Sequence, residues 1–175
     1  MSYTYNRPLL AACVALCALS TGLATSARSA VSNMSTQQAQ LQTWVGHWHT
    51  KGESEGTPWH ADTQCAWSPN HQFVVCDQLI NDRVNQLMII GYDDSAKAFR
   101  ISSIGKDRAP IVAFGRVHGA VWTNSAELEQ GGKKILMKTV VDFSVPRHYS
   151  DRETLSQDGG GHWTEESRGE AVQVQ

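Results

Sequence analysis

From Gly46 onward, hydrophobic and polar residues alternate with a period of two, and clusters of turn residues interrupt the alternation about every ten positions. This pattern predicts short antiparallel strands joined by tight turns, as in a sandwich or barrel. The predicted strands run 46–53, 58–67, 72–81, 84–92, 98–105, 110–117, 120–127, 133–145, 148–156 and 162–172. Between them lie Ser68-Pro69-Asn70-His71, Asn81-Asp82-Arg83, Asp93-Asp94-Ser95-Ala96, Gly131-Gly132 and Asp158-Gly159-Gly160-Gly161, all rich in turn-forming residues. No helical periodicity of useful length separates two strands, which argues against parallel crossovers. The predicted fold class is therefore all-β: an antiparallel up-and-down barrel of about ten strands, each paired with its sequence neighbour and closed so that no edge is left exposed.

One short helix precedes the strands. Ser35 is placed to cap it, and Gln38 three residues later completes a capping-box pattern. Leu41, Trp44 and Val45 then share a helical face, and Gly46 ends the helix.

The hairpin around 68–71 fixes a register. Residues whose numbers sum to 141 should face each other, which sets Trp67 against Val74, Cys65 against Cys76, Thr63 against Gln78 and Ala61 against Ile80. Directly opposed side chains lie roughly 4.5–5.5 Å apart, so Cys65 and Cys76 can form a disulfide; two buried free thiols are the alternative. The same register makes one face apolar and the other polar, with Gln64, Asp62 and Asp77 outside. Met88, Ile90 and Tyr92 share a face, as do Ile135, Met137, Thr139, Val141 and Phe143. If these faces converge, the interior is either a packed core or a pocket for one small apolar ligand, and both fit the pattern.

Residues 1–30 stand apart from this pattern. Arg7 precedes an apolar run from Pro8 to Leu19, and small residues follow to Ala30. That is the layout of a secretory signal peptide with cleavage after Ala27 or Ala30, too short for the roughly 20 residues of a membrane span. Leu10-Ala11-Ala12-Cys13 resembles a lipoprotein box, but little apolar sequence precedes it. The expected organisation is a signal peptide over 1–30 and a single barrel domain over 31–175, located in the periplasm or outside the cell. Cys13 and Cys17 leave with the signal, so Cys65 and Cys76 remain in an oxidising compartment.

Composition narrows the partners. The chain has 175 residues, 41% hydrophobic and 18% charged, with a net charge of −2, enough for one domain with a substantial core. Removing Arg7 and Arg28 leaves 13 basic residues against 17 acidic ones, a charge of −4. Such a balance argues against a nucleic-acid partner or an acidic membrane surface. No stable membrane insertion is expected, and the sequence names no protein partner.

Candidate chemistry is sparse. Gly52-Glu53-Ser54-Glu55-Gly56 fits a serine-hydrolase pattern, but that motif works at a strand-to-helix turn and here another strand follows. His47 and His49 flank Trp48 on the opposite strand face; two imidazoles could hold a metal, and His60 is a possible third ligand. No carboxylate at ligand spacing is evident, so no metal site is assigned and a solvated surface is expected. His118, His148 and His162 lie near turns. Parity sets Arg168 on a face with Thr164, Glu166 and Glu170, which counts against a stack on Trp48 but leaves that pairing open. No phosphate loop, nucleophile–base pair or buried acid pair is present, so no catalytic residue and no cofactor is assigned.

Leu41-Gln42-Thr43-Trp44-Val45-Gly46-His47-Trp48 resembles the opening of calycin-type barrels, in which G-x-W follows a short helix and starts the first strand. Cys65-Ala66-Trp67-Ser68-Pro69-Asn70, Phe73-Val74-Val75-Cys76 and Gly91-Tyr92-Asp93 are together similar to a group of small exported bacterial lipocalin-like proteins of unknown function. The resemblance covers about residues 36–170 and implies a ten-stranded meandering barrel with an apolar interior and no established reaction. The haem-binding nitrobindin-like barrels share the opening more distantly.

Three functions are therefore weighed. The first is an exported, non-enzymatic barrel binding a small apolar molecule, lined by Trp48, Trp59, Trp67, Met88, Ile90, Tyr92, Met137 and Phe143. The second is a haem or redox protein using His148 or His162 as axial ligand. The third is an envelope interaction module with a filled core.

Overall fold

A computed structural model describes residues 34–106 and 108–174. The expected signal peptide, with Ala27 and Ala30, lies outside the described residues. Helix α1 spans Thr36–Leu41 and continues as a 3-10 turn over Gln42–Trp44. Ser35 caps it: its hydroxyl accepts from the Gln38 amide at 3.1 Å, and the Gln38 side chain accepts from the Ser35 amide at 2.9 Å. That reciprocal pair is the capping box read from the sequence.

The strands are β1 (Gly46–Ser54), β2 (Thr57–Trp67), β3 (Phe73–Ile80), β4 (Val84–Asp93) and β5 (Ala98–Gly105). They continue as β6 (Arg108–His118), β7 (Val121–Gln130), β8 (Lys133–Asp142), β9 (His148–Ser156) and β10 (Thr164–Val174). Each pairs antiparallel with its sequence neighbours, and β1 also pairs with β10 from His47↔Val174 to Ser54↔Ser167, closing the barrel. The architecture is a closed ten-stranded up-and-down barrel, as the alternation and turn spacing predict.

Strand ends differ from the periodicity at instructive places. The alternation carries β8 on to residue 145, yet the strand stops at Asp142. There the Asp142 carboxylate accepts from the Ser144 amide at 2.8 Å and from its hydroxyl at 2.5 Å, bending the chain out of the sheet. The same bonds hold that carboxyl below its ordinary pKa. Conversely, β7 runs three residues further than expected because Gly131 and Gly132, both with positive φ (59° and 74°), form a tight hairpin that keeps pairing to its tip.

The β2–β3 register follows the sum of 141, and Cys65 faces Cys76 in a disulfide on the inner face. Both sulfur-bearing residues are buried (6% and 0% exposed), inside the main core cluster rather than at the surface. The bond closes a short loop, for which chain entropy predicts about 2–3 kcal/mol. Replacing both cysteines with alanine should lower the unfolding free energy by about that amount or somewhat more, since two buried groups also shrink. Urea unfolding of the variant beside the oxidised protein measures it, and an unchanged midpoint would contradict the assignment.

Candidate ligand-binding interior

Strand alternation divides the barrel wall into inward and outward positions, and the inward set differs sharply between its two ends. At the end covered by α1, aromatic rings fill the space. Trp44, just after the helix, meets Trp122 at 5.5 Å, Phe143 at 5.1 Å and Tyr149 at 6.1 Å between ring centroids. Trp48 packs on Tyr149 (5.1 Å) and donates its indole N–H to the Trp44 carbonyl at 2.9 Å. Phe99 bridges Trp122 (4.6 Å) and Tyr92 (5.2 Å). Trp67, partly buried at the rim, donates to the Gln42 side chain at 2.7 Å and ties the helix down. Each edge-to-face contact adds roughly 0.5–1.5 kcal/mol to the area already buried. This end is plugged.

The other end is built differently. One wall carries a second apolar cluster of Ala113, Ala126 and Met137, with Ile101, Ile111, Leu128 and Leu155 packed around it. The facing wall is polar. Gln78 donates to the Thr63 hydroxyl at 3.1 Å, and the Thr50 hydroxyl bonds the Tyr149 hydroxyl at 3.2 Å. Trp59 crosses the inner face of β1 and β10, its indole N–H donating to the Ser167 hydroxyl at 3.1 Å.

Two paired glycines make room for that indole. A Cβ at Gly52 would fall 2.5 Å from the Trp59 ring and 2.3 Å from the Arg168 carbonyl oxygen. One at Gly169 would fall 3.1 Å from the ring and 2.6 Å from the Asp151 carboxylate. Trp59, Gly169 and Asp151 therefore share a single patch of the inner wall. Burial pushes the Asp151 carboxyl up to about 6, with the charges of Glu153 and Glu170 acting in the same direction. Tyr149 is raised to about 12, chiefly by burial, although its bond to Thr50 opposes the shift.

The eight residues singled out from the sequence thus separate into groups. Trp48, Trp67, Ile90, Tyr92 and Phe143 meet in the plug, Phe143 from the β8–β9 loop rather than from a strand. Met88 edges that cluster, Met137 belongs to the second one, and Trp59 lies at the far end. Sequence reading missed the polar wall. The segment Ser150-Asp151-Arg152-Glu153 is polar at every position, so alternation of hydropathy cannot say which side chains point inward. Extending the register from buried Tyr149 would have placed Asp151 and Glu153 inside.

The histidines lie elsewhere. His148 is on the outer face, 2.7 Å from Glu170, and His162 is in the β9–β10 loop, 2.5 Å from Asp158. Ser54, with its flanking glutamates, ends β1 in a two-residue hairpin at Glu55-Gly56, without the helix that a nucleophile elbow requires. Arg168 reaches toward Glu53 and Glu165 on the outer face, away from Trp48. Compared with known proteins, the chain matches no protein-family model and no curated protein. Among the described residues no helix is long and apolar enough to cross a membrane.

A pH dependence follows from Asp151. Its folded-state pKa of about 6 lies above the ordinary 3.8, so the folded protein holds this proton more tightly than the unfolded chain. Stability is then lost as pH rises through that interval, because ionisation costs more in the fold. Asp151→Asn removes the cost. Its stability relative to the parent should be roughly 1–3 kcal/mol more favourable near pH 8 than near pH 4. Urea titrations at both values test this, and a difference independent of pH would show that the carboxyl is not desolvated.

Proposed function

We propose that the protein is an exported, non-enzymatic carrier that takes up a small molecule through the barrel end opposite α1. One contrast carries the reading. On the inner face of β4, Ile90 is wholly buried, whereas Met88, two residues nearer the open end, keeps contact with solvent. On β3 the same step separates buried Cys76 from partly exposed Gln78. Inward side chains that water reaches mark interior space the protein does not fill itself.

The lining suggests the ligand's chemistry. Apolar Met88, Ile101 and Met137 share this part of the barrel with Thr63, Gln78, Trp59 and Asp151. An amphipathic molecule fits, with a greasy body and a head that donates hydrogen bonds or carries positive charge toward Asp151. Pairing with such a head offsets the cost of holding that carboxylate in a partly dry site. Export rests on the N-terminal sequence pattern and agrees with the disulfide, which persists in oxidising compartments.

Titration with a panel of apolar and amphipathic molecules, followed by tryptophan fluorescence and calorimetry, tests the proposal. A saturable spectral change is expected, arising from Trp59 and therefore abolished in Trp59→Phe. Met88→Trp, checked by circular dichroism for an intact barrel, should weaken binding by at least about tenfold by occupying the space. No response across the panel, or full affinity in a folded Met88→Trp protein, would overturn the reading.

A further inference from the structure

The outer face of the β1–β2 hairpin holds a group of side chains that the interior does not use. His49 stands directly opposite Asp62, and His47 lies two residues earlier on the same face. The His49 Nε2 is 2.8 Å from Asp62 Oδ2, and the His47 Nε2 is 2.9 Å from both carboxylate oxygens. The two rings meet edge to face, with centroids 4.9 Å apart and planes at 87°. One ligand atom from each residue lies within 4.8 Å of the other two.

We propose that His47, His49 and Asp62 form a binding site for a divalent zinc-class cation, with a fourth position open to water. The donor set supports this choice. Two imidazole nitrogens and one carboxylate suit zinc and its neighbours, whereas calcium and magnesium require mostly oxygen ligands. Three protein ligands and one open position is also the arrangement of accessible tetrahedral zinc sites.

The geometry needs little adjustment. Metal–ligand distances near 2.0–2.2 Å put tetrahedral ligand atoms about 3.3–3.5 Å apart. The nitrogen–carboxylate distances of 2.8–2.9 Å are shorter because both imidazoles contact the Asp62 carboxylate directly. Reaching the tetrahedral spacing around one cation is a matter of side-chain rotation by the three residues. All three have that freedom, with side-chain exposures of 34%, 52% and 46%.

The strands beneath them are held on both sides by the closed sheet, so the ligands start from a fixed spacing. Val172 pairs with His49 and Leu79 with Asp62, which sets an aliphatic residue beside each. The site is on the opposite side of β1 from Trp48 and Thr50 and is independent of the interior. A neighbouring pair, His60 and Asp82 at 3.1 Å, offers only two ligands and serves as an internal control.

The test uses metal-free protein without a histidine tag. Zn2+ alone is titrated by calorimetry, and Co2+ by visible absorption for the intense bands of tetrahedral coordination. A single saturable site is expected. His47→Ala, His49→Ala and Asp62→Asn should each weaken it by at least about tenfold, while His60→Ala should leave it unchanged. Circular dichroism confirms that each variant is folded. Absence of saturable Zn2+ binding, or binding that survives His49→Ala and Asp62→Asn, would overturn the proposal, as would binding lost with His60→Ala.

Discussion

Ten twisted strands laid side by side as an open sheet would leave two edges of unpaired backbone N–H and C=O groups. Pairing β1 with β10 removes both edges, and the rest of the molecule depends on that closure. Once the ring is closed, no strand can slip by one residue without turning its buried set outward, so the register of every hairpin is locked to all the others. The Cys65–Cys76 disulfide, the indole laid over Gly52 and Gly169, and the histidines across from Asp62 all follow from that shared register.

Closure also sets a volume problem. A ring of ten strands encloses more space than the inward side chains of a single layer fill. At one end the chain answers by bringing material from outside the sheet: α1 delivers Leu41 and Trp44, and the β8–β9 loop delivers Phe143. Trp44, Trp122, Phe143 and Tyr149 then interlock, and solvent is excluded. At the other end no such element arrives among the described residues. There the lining is half aliphatic and half hydrogen-bonding, with a carboxyl that burial makes reluctant to ionise. The asymmetry between the two ends, more than the barrel itself, is what the carrier proposal rests on.

Inner and outer faces offer separate chemistry on the same strands. On β1, Trp48 and Thr50 contribute to the interior while His47 and His49 face outward toward Asp62. Alternation lets one strand serve both faces without either set touching the other. Changes on the outer wall therefore leave the interior packing intact, which makes the two proposals separable by experiment.

Much of the fold was legible in the chain. Period-two alternation marks ten strands, the turn residues mark their limits to within a few positions, and counting across the Ser68–His71 turn pairs Cys65 with Cys76. Counting likewise across Glu55-Gly56 pairs His49 with Asp62, a contact open to the same arithmetic. Local patterns encode such features because turns and neighbouring pairs involve residues close in sequence. What they do not encode is where Phe143 leaves its strand, which end of the barrel is plugged, and that Trp59 and Asp151 meet over a glycine. Those were decided by packing among Trp44, Trp122 and Tyr149 and by the contact of β1 with β10. Such contacts join segments about a hundred residues apart, and only the closed barrel brings them together.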